Sequence, residues 1–224
     1  MRVWQMIAGL ILAGGQGRRM GAQPAAAADA APDAGQDSRP HAGPPSGTDK
    51  ALLTLGGNTL VALCAKRLGA QTARCAISAN GDPARFAALG LPVLPDPPEA
   101  QDAGPLAGVL AGLDWAASIG AQGLVSAAVD TPFFAPDLAA RLSAQSGFAI
   151  ASAEGRLHPT FGYWPAALRA PLAAYLAQGH RRLQGFAEAQ GARGVVFAEA
   201  AAFFNINTPE DLARAKARHA GAPL

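Results

Sequence analysis

The chain has 224 residues, half of them hydrophobic, and 18 basic against 16 acidic residues give it a formal net charge of +2. This length suits one large α/β domain or two small ones, and we expect one domain over residues 1–224. The charges are spread along the chain, which excludes the basic block typical of non-specific nucleic-acid binding. Cys64 and Cys75 form no Cys-x-x-Cys pair, so we expect reduced thiols.

The N-terminal stretch superficially resembles a secretory signal, because Arg2 precedes an apolar run at residues 3–12. Gln5 interrupts this run, however, and Arg18 and Arg19 stand where a signal peptide carries no charge. No other run approaches the length that spans a bilayer. We therefore expect a cytoplasmic protein that binds neither membrane nor nucleic acid.

Residues 7–12 form a short, nearly all apolar run that predicts a strand covered on both faces. The run continues into Ala13-Gly14-Gly15-Gln16-Gly17-Arg18-Arg19, where glycines let backbone N–H groups approach an anion and arginines add positive charge. The spacing matches neither the dinucleotide fingerprint nor the P-loop. From these residues alone, a phosphate-binding loop and a tight turn that serves packing are equally good interpretations.

Residues 24–47 are rich in Ala, Pro, Gly and Asp and contain almost no large apolar side chain. Such a segment cannot bury enough surface to offset the entropy lost when it becomes ordered. We therefore predict a flexible surface insertion, which separates Arg19 from Asp49-Lys50.

After the insertion, apolar runs alternate with helical patterns. Thr59 is a typical N-cap residue, and Pro83 suits the first turn of a helix. We predict helices over 60–69, 83–89 and 104–115 and strands over 74–78, 91–94 and 123–129. This alternation predicts right-handed crossovers and a mostly parallel sheet, whose ligands bind beyond the carboxyl ends of the strands.

Polar residues follow four of the predicted strands, at the positions where ligands of such a sheet bind. They are the glycine loop, Ser78 with Asn80, Asp96, and Asp130. For Asn80, an ordinary turn is as good an interpretation as a ligand contact, because Asn and Asp dominate turns. Asp130 ends a largely apolar strand and precedes Thr131 and Pro132, which places its carboxylate well for a metal ion.

The second half of the chain is less regular. Residues 148–152 and 159–164 predict two strands joined through 154–156, a hairpin that would add an antiparallel edge to the sheet. Helices over 166–178 and 181–190 and a strand over 194–197 follow. Thr208 is the expected cap of a last helix, with Asp211 at its third position. The pattern predicts a three-layer, Rossmann-like α/β fold, with a mostly parallel sheet and a small antiparallel addition in the C-terminal half.

Several motifs together resemble one known family. They are Leu12-Ala13-Gly14-Gly15-Gln16-Gly17-Arg18-Arg19-Met20-Gly21, Asp49-Lys50, Asp130-Thr131-Pro132 and Asn205-Ile206-Asn207-Thr208-Pro209-Glu210-Asp211-Leu212. The last motif is the most specific, and the segments 104–108 and 156–160 support it. The sequence thus resembles the molybdenum cofactor guanylyltransferases of the nucleotidyltransferase superfamily. The resemblance implies transfer of GMP from GTP to the terminal phosphate of molybdopterin, with release of pyrophosphate.

The resemblance also implies roles for individual residues. Backbone N–H groups from Leu12 to Gly15 would hold the nucleotide, and Arg18 or Arg19 would neutralise its β- and γ-phosphates. Lys50 is expected to contact the phosphates as a compact charge, and Asp130 to hold Mg²⁺. Positioning and charge neutralisation should supply most of the catalysis, because in phosphoryl-type transfer the protein forms few covalent bonds with the substrates.

On the pterin side, the resemblance implies Asn205 and Asn207, with Arg156, His158 and Arg182 as further candidates. His158 is equally well explained as a structural histidine. The implied catalytic residues are Lys50, Arg19 and Asp130, with Asp130 as the metal ligand. The implied binding residues are Leu12, Ala13, Gly14, Gly15, Arg18, Lys50, Ser78, Asn80, Asp96, Asp130, Asn205 and Asn207.

Two departures from the family pattern affect these expectations. The insertion interrupts a motif that the family has as Arg-Met-Gly-Gly-x-Asp-Lys, and it leaves Lys50 in place only if its ends lie close together. Ser78 stands where the family often has Asn, and serine can bond a base or ribose only over a shorter reach.

Two other functions stay open at this point. One is nucleotidyl transfer to another acceptor, as in molybdopterin cytidylyltransferases or sugar-phosphate nucleotidyltransferases. The other is nucleotide binding without catalysis, with Lys50 disabled by the insertion. As partners we expect GTP and molybdopterin, with transient contacts to pterin-delivering or molybdoenzyme-maturation proteins, and we expect a monomer.

Overall fold

A computed structural model describes residues 7–14 and 49–221 of the chain. The predicted insertion at 24–47, and the predicted site residues Gly15, Arg18 and Arg19, lie outside the described residues. Within them, the strands are β1 (Ile7–Leu12), β2 (Thr54–Leu55), β3 (Asn58–Thr59), β4 (Arg74–Ser78), β5 (Val93–Leu94), β6 (Gly123–Ala128), β7 (Ala149–Ala153), β8 (Arg156–Pro165) and β9 (Arg193–Val196).

The α-helices in the same part of the chain are α1 (Leu60–Gly69), α2 (Pro105–Ser118), α3 (Leu138–Ser143), α4 (Arg169–Ala177), α5 (Leu183–Ala189) and α6 (Pro209–Gly221). Short 3₁₀ helices cover Lys50–Leu52, Pro83–Leu89, Pro98–Ala100, Ala166–Leu168 and Ala200–Phe203. No helix among the described residues is long and apolar enough to cross a membrane.

Seven strands form one sheet in the order β5-β4-β1-β6-β8-β7-β9. The pairs β1–β4, β1–β6, β4–β5 and β7–β9 are parallel, and only β8 runs antiparallel to its neighbours β6 and β7. The carboxyl ends of β1, β4, β5 and β6 therefore lie at one edge of the sheet. The predicted α/β fold, with a mostly parallel sheet and an antiparallel addition in the C-terminal half, is confirmed.

The predicted hairpin is present, but its expected place at the edge of the sheet is wrong. β8 lies inside the sheet between β6 and β7, and β9 forms the edge. The reason is visible in the side chains of β8, because Phe161 is buried on one face of the sheet and Trp164 on the other. Burial on both faces is the pattern of an inner strand.

Two apolar layers cover the faces of the sheet, which makes the architecture three-layered. Residues from α1, α3 and α6 pack on one face, and residues from α2, α4 and α5 pack on the other. Glycines let α2 approach the sheet closely, since a Cβ added at Gly108 would lie 2.1 Å from Ser78 Oγ. An added Cβ at Gly112 would lie 2.7 Å from methyl groups of Leu10 and Leu124.

Local signals in the sequence account for several helix boundaries. Thr59 caps α1 by accepting a hydrogen bond from Ala62 N over 3.3 Å, as predicted. Asp82 caps the next helix through Ala84 N, but residues 83–89 form a 3₁₀ helix that ends at Gly90, where φ is 61°. The helix α3 and the small β2–β3 hairpin are additional to the predicted elements.

Both cysteines are buried free thiols, as expected. Burial raises the pKa of Cys75 to about 12, and burial together with the nearby Asp130 carboxylate raises the pKa of Cys64. Cys64 Sγ lies 3.6 Å from Val129 O, so this side chain packs beneath the end of β6 next to Asp130.

Candidate active site

The end of β1 is held between its two neighbouring strands. Ala13 N donates to Ser78 O over 3.0 Å, and Val129 N donates to Leu12 O over 3.1 Å. Leu12 and Ala13 are buried, whereas Gly14 is exposed. The Ala13 amide is thus engaged within the sheet. The roles in nucleotide binding expected of Leu12, Ala13 and Gly14 stay predictions.

Lys50 lies on a short turn that Asp49 fixes. Asp49 Oδ1 accepts a hydrogen bond from Ala51 N over 2.9 Å and caps the 3₁₀ helix Lys50–Leu52. Lys50 Nζ then donates to Asn207 Oδ1 over 2.8 Å. The residue expected on the nucleotide phosphates therefore contacts a residue expected on the pterin side.

The segment that contains Asn207 is attached to the end of β6. Ile206 is buried between the exposed residues Asn205 and Asn207, and its N–H donates to Asp130 O over 2.7 Å. Thr131, which is fully buried, contacts the side chain of Asn205 through Oγ1. These bonds place both asparagines beside Asp130.

The Asp130 carboxylate is the most buried acidic group of this site. Burial raises its pKa above the ordinary value, while a hydrogen bond from Thr131 Oγ1 over 3.1 Å and the charge of Lys50 oppose this shift. A buried carboxylate of this kind favours a cation in its vicinity. The described ranges contain no cluster of three or more His, Cys, Asp or Glu side chains. A Mg²⁺ ion at Asp130 would thus be completed by water and phosphate oxygens, as is usual for this ion.

Asn80 and Asp96 form a reciprocal pair at the ends of β4 and β5. Asn80 Nδ2 donates to Asp96 Oδ2 over 2.7 Å, and Asp96 N donates to Asn80 Oδ1 over 2.8 Å. Burial raises the pKa of Asp96, the hydrogen bond from Asn80 lowers it, and the nearby Asp102 raises it again. The Asn80 amide thus holds two loops together, which favours its structural interpretation.

Ser78 takes part in packing between the sheet and α2. Its side chain is buried, with 3% of the residue exposed, and its hydroxyl lies against Gly108. The structure brings Ser78 to the expected end of β4 but encloses its side chain. A contact between Ser78 and a base or ribose stays a prediction.

Two further candidates for the pterin side, His158 and Arg182, lie in different surroundings. The ring of His158 stacks on Phe203 with a centroid distance of 4.4 Å and an interplanar angle of 14°. Burial and the nearby Arg156 lower the pKa of His158, which favours the neutral form of the ring. This contact supports the structural interpretation of His158. Arg182, by contrast, lines a separate pocket together with Tyr175 and Glu188.

Comparison with known proteins identifies the family of the chain. Residues 9–193 match the model of the MobA-like NTP transferase domain. A molybdenum cofactor guanylyltransferase from Cereibacter sphaeroides is 52% identical over 210 residues, which cover 93% of this chain and 94% of that protein. The chain belongs to the molybdenum cofactor guanylyltransferase family. The resemblance inferred from the motifs is thereby confirmed.

Other members and solved structures extend the match to this family. A molybdenum cofactor guanylyltransferase from Rhodobacter capsulatus is 46% identical over 213 residues, covering 95% of this chain and 96% of that protein. A crystal structure of molybdopterin-guanine dinucleotide biosynthesis protein A from Archaeoglobus fulgidus has a TM-score of 0.66 at 21% identity. It covers 96% of this chain and 100% of that one, and it shows that the two proteins share a fold.

One residue beside the candidate site could not be predicted from the sequence motifs. Arg85 lies beside the predicted residues, and its Nε is 2.9 Å from Asp49 Oδ2. Its position in the first turn after the Asp82-Pro83 start was the available signal, because a side chain there reaches back toward residues that precede the helix. The partner of Arg85 is Asp49, the residue that precedes Lys50 in the Asp49-Lys50 motif.

Proposed function

We propose that this chain transfers GMP from GTP to molybdopterin and releases pyrophosphate. The observation that carries the proposal is the hydrogen bond between Lys50 and Asn207, located beside Asp130. It joins the residue expected on the nucleotide phosphates to a residue expected on the pterin. The names of the family members support the same reaction.

In the proposed reaction, an oxygen of the terminal phosphate of molybdopterin attacks the α-phosphorus of GTP. The bond between the α-phosphorus and the oxygen that bridges to the β-phosphate breaks, and the electron pair leaves with pyrophosphate. Lys50 places a positive charge at the reacting phosphates, where it stabilises developing negative charge. Asn207, which fixes the Lys50 ammonium over 2.8 Å, orients this charge.

Asp130 is the proposed ligand of Mg²⁺. The fit rests on its buried carboxylate: burial raises the pKa of Asp130, and a cation beside it would offset the cost of burying that charge. When bound there, Mg²⁺ would neutralise charge on phosphate oxygens of the nucleotide. The chain itself supplies the ionised carboxylate, held in place by Thr131.

The remaining residues of the proposed site have supporting roles. Asp96 and Asn80, which hold two loops together through their reciprocal pair, are proposed to border the nucleotide. Gly15, Arg18 and Arg19 are proposed to bind the triphosphate on the strength of the motif. We further propose a cytoplasmic, single-domain monomer that contacts pterin-delivering or molybdoenzyme-maturation proteins transiently.

A product assay tests the proposal. Purified protein is incubated with molybdopterin, Mg²⁺ and each of GTP, CTP, ATP and UTP in turn, and dinucleotide and pyrophosphate are quantified. We expect a guanine dinucleotide and equimolar pyrophosphate with GTP. Preference for CTP would show that the protein is a cytidylyltransferase and not a guanylyltransferase. Nucleotide binding without any product would support a non-catalytic protein.

A further inference from the structure

Arg85 contacts two separate segments of the chain, the loop after β4 and the turn at Asp49. Its Nη2 donates to Asn80 O over 2.7 Å, and its Nη1 donates to Asp82 O over 2.8 Å. Its Nε forms an ion pair with Asp49 Oδ2 over 2.9 Å, although the Nε–H does not point along this contact. The guanidinium lies over the ring of the buried Phe86, 4.5 Å from its centroid. Arg85 is thus fixed in one orientation.

The ion pair reaches the turn that carries Lys50. Asp49 uses Oδ1 to cap that turn through Ala51 N, and it uses Oδ2 to pair with Arg85. Both carboxylate oxygens are therefore engaged, and the backbone immediately before Lys50 is tied to Arg85. Asp49 acts on the site through its neighbour Lys50.

The carbonyls on the other side of Arg85 belong to the loop after β4. That loop carries Asn80, whose side chain exchanges two hydrogen bonds with Asp96. One guanidinium consequently connects the turn of Lys50 to the loop after β4, whose Asn80 side chain is hydrogen-bonded to Asp96. Only arginine has the planar set of donors that serves several acceptors in fixed directions.

Stability alone does not explain this arrangement. The side chains of Arg85 and Asp49 are 23% and 30% exposed, and ion pairs in such partly solvated positions contribute little to folding stability. Position, by contrast, matters strongly in a reaction that depends on aligned phosphates.

We propose that Arg85 is a positioning residue that sets the place of Lys50 relative to the Asn80–Asp96 pair. The proposal rests on the proposed function for the roles of Lys50 and Asp96. Arg85 touches neither substrate in this account. It acts through Asp49 on one side and through the Asn80 carbonyl on the other.

The test compares Arg85→Gln, Asp49→Asn and the double variant with the wild-type enzyme. Arg169→Gln is the matched control, because Arg169 forms a 2.7 Å ion pair with Asp114 on the outer surface. Two readouts are measured: kcat and KM for GTP in guanine dinucleotide formation, and hydrogen exchange of the backbone amides at residues 50–53. Thermal unfolding checks that each variant is folded.

We expect Arg85→Gln and Asp49→Asn each to lower kcat/KM for GTP by roughly 10- to 100-fold, the scale of a small misplacement of a reacting group. The kcat/KM of the double variant should lie within about twofold of that of the less active single variant, because both changes break the same connection. Exchange at residues 50–53 should be roughly threefold faster or more in both single variants, since their turn loses its anchor. The control should change neither readout.

Several results would overturn the proposal. Folded Arg85→Gln enzyme with wild-type kinetics, additive effects in the double variant, or unchanged exchange at 50–53 would each do so. If Arg85→Gln does not fold, Asp49→Asn breaks the same ion pair from the other side and decides the question. Wild-type protein without guanylyl transfer would contradict the proposed function, while the exchange measurement would still decide whether Arg85 holds the turn of Lys50.

Discussion

Lys50 Nζ donates a hydrogen bond to Asn207 Oδ1 over 2.8 Å, although 157 positions separate the two residues in the chain. Ile206, between the two asparagines, is buried and bonded to the backbone of Asp130. The contact therefore joins an early turn to the segment before the last helix, next to the end of the central strand β6. It brings together a residue that we propose for the nucleotide phosphates and a residue that we propose for the pterin.

Replacement of Asn207 tests this junction. Asn207→Ala removes the acceptor that orients Lys50, and we expect kcat/KM for GTP to fall by roughly 10- to 100-fold. The thermal midpoint should change little, because Asn207 is exposed. Asn58→Ala is the control, since Asn58 is an exposed asparagine of the β2–β3 hairpin. Equal activity of Asn207→Ala and Asn58→Ala would contradict the role proposed for Asn207.

Asp211 supports Asn207 from the first turn of α6. Its Oδ2 accepts hydrogen bonds from Asn207 N and Thr208 N, both over 3.1 Å, and Thr208 Oγ1 accepts one from Asp211 N. Asp211→Ala should cost about 1 kcal/mol in the free energy of unfolding, as expected for a lost cap. Urea unfolding measures this, and Glu210→Ala in the same turn should cost less.

The pH dependence of this cap has a definite sign. Burial raises the pKa of Asp211, but hydrogen bonds from Asn207 and Thr208 and the charge of Arg214 lower it more, so the net pKa lies below its ordinary value. The unfolded state then binds the proton more readily, and the stabilisation is present at neutral pH. It should disappear as the pH falls through the folded-state pKa. A difference between wild type and Asp211→Ala that persists in strong acid would contradict this assignment.

Asp130→Asn should abolish the response of activity to Mg²⁺ and yet stabilise the fold. The variant removes a buried charge while keeping an acceptor for Thr131. At neutral pH we expect the thermal midpoint to rise by about 2–4 °C, the shift that 1 kcal/mol produces in a chain of this size. Asp137→Asn, whose side chain is 57% exposed, is the control and should leave both properties unchanged.

The same charge predicts how this gain varies with pH. The pKa of Asp130 is raised in the folded state, so between the ordinary and the raised value the folded state binds the proton more readily. Wild-type stability should therefore increase in this window as the pH falls, and the advantage of Asp130→Asn should shrink. Calorimetry across acidic pH values measures it, and a constant or growing advantage would contradict the assigned shift.

Gly108→Ala tests the close contact between α2 and the sheet. The new Cβ would lie 2.1 Å from Ser78 Oγ and 3.3 Å from Leu12 Cδ2, so either the helix or the Ser78 side chain must move. We expect a loss of about 1–3 kcal/mol in urea unfolding, the usual cost of overpacking. Gly69→Ala, at a helical glycine with open space around it, should instead be neutral or stabilising. Equal effects of the two changes would contradict the packing argument.

Local patterns predicted the elements well, because each depends on neighbours in the sequence. The apolar runs of β1, β4 and β6 and the cap at Thr59 depend on short-range chemistry, and all are confirmed. The place of β8 inside the sheet could not be predicted in this way. Strand order depends on which faces become buried, and the length of β8 became known only with the fold.

The candidate site likewise contains residues that could be predicted from the sequence and contacts that could not. Residues that follow strands, such as Asp96 and Asp130, were predicted because the carboxyl ends of parallel strands share an edge. The ion pair of Arg85 with Asp49 and the enclosure of Ser78 by Gly108 join segments distant in the sequence. No pattern within one segment records such contacts, so they emerge only from the tertiary structure.

The rate of guanine dinucleotide formation by Lys50→Ala, beside Lys66→Ala and wild type, tests the account most directly. Lys66 is an exposed lysine of α1, so Lys66→Ala removes a lysine charge at another place on the surface. With GTP, molybdopterin and Mg²⁺, we expect wild-type and Lys66→Ala enzyme to form the dinucleotide at equal rates. Lys50→Ala should be slower by about 100-fold or more, the usual cost of losing one group that stabilises transition-state charge. Unchanged dinucleotide formation by Lys50→Ala would contradict the assignment of this site.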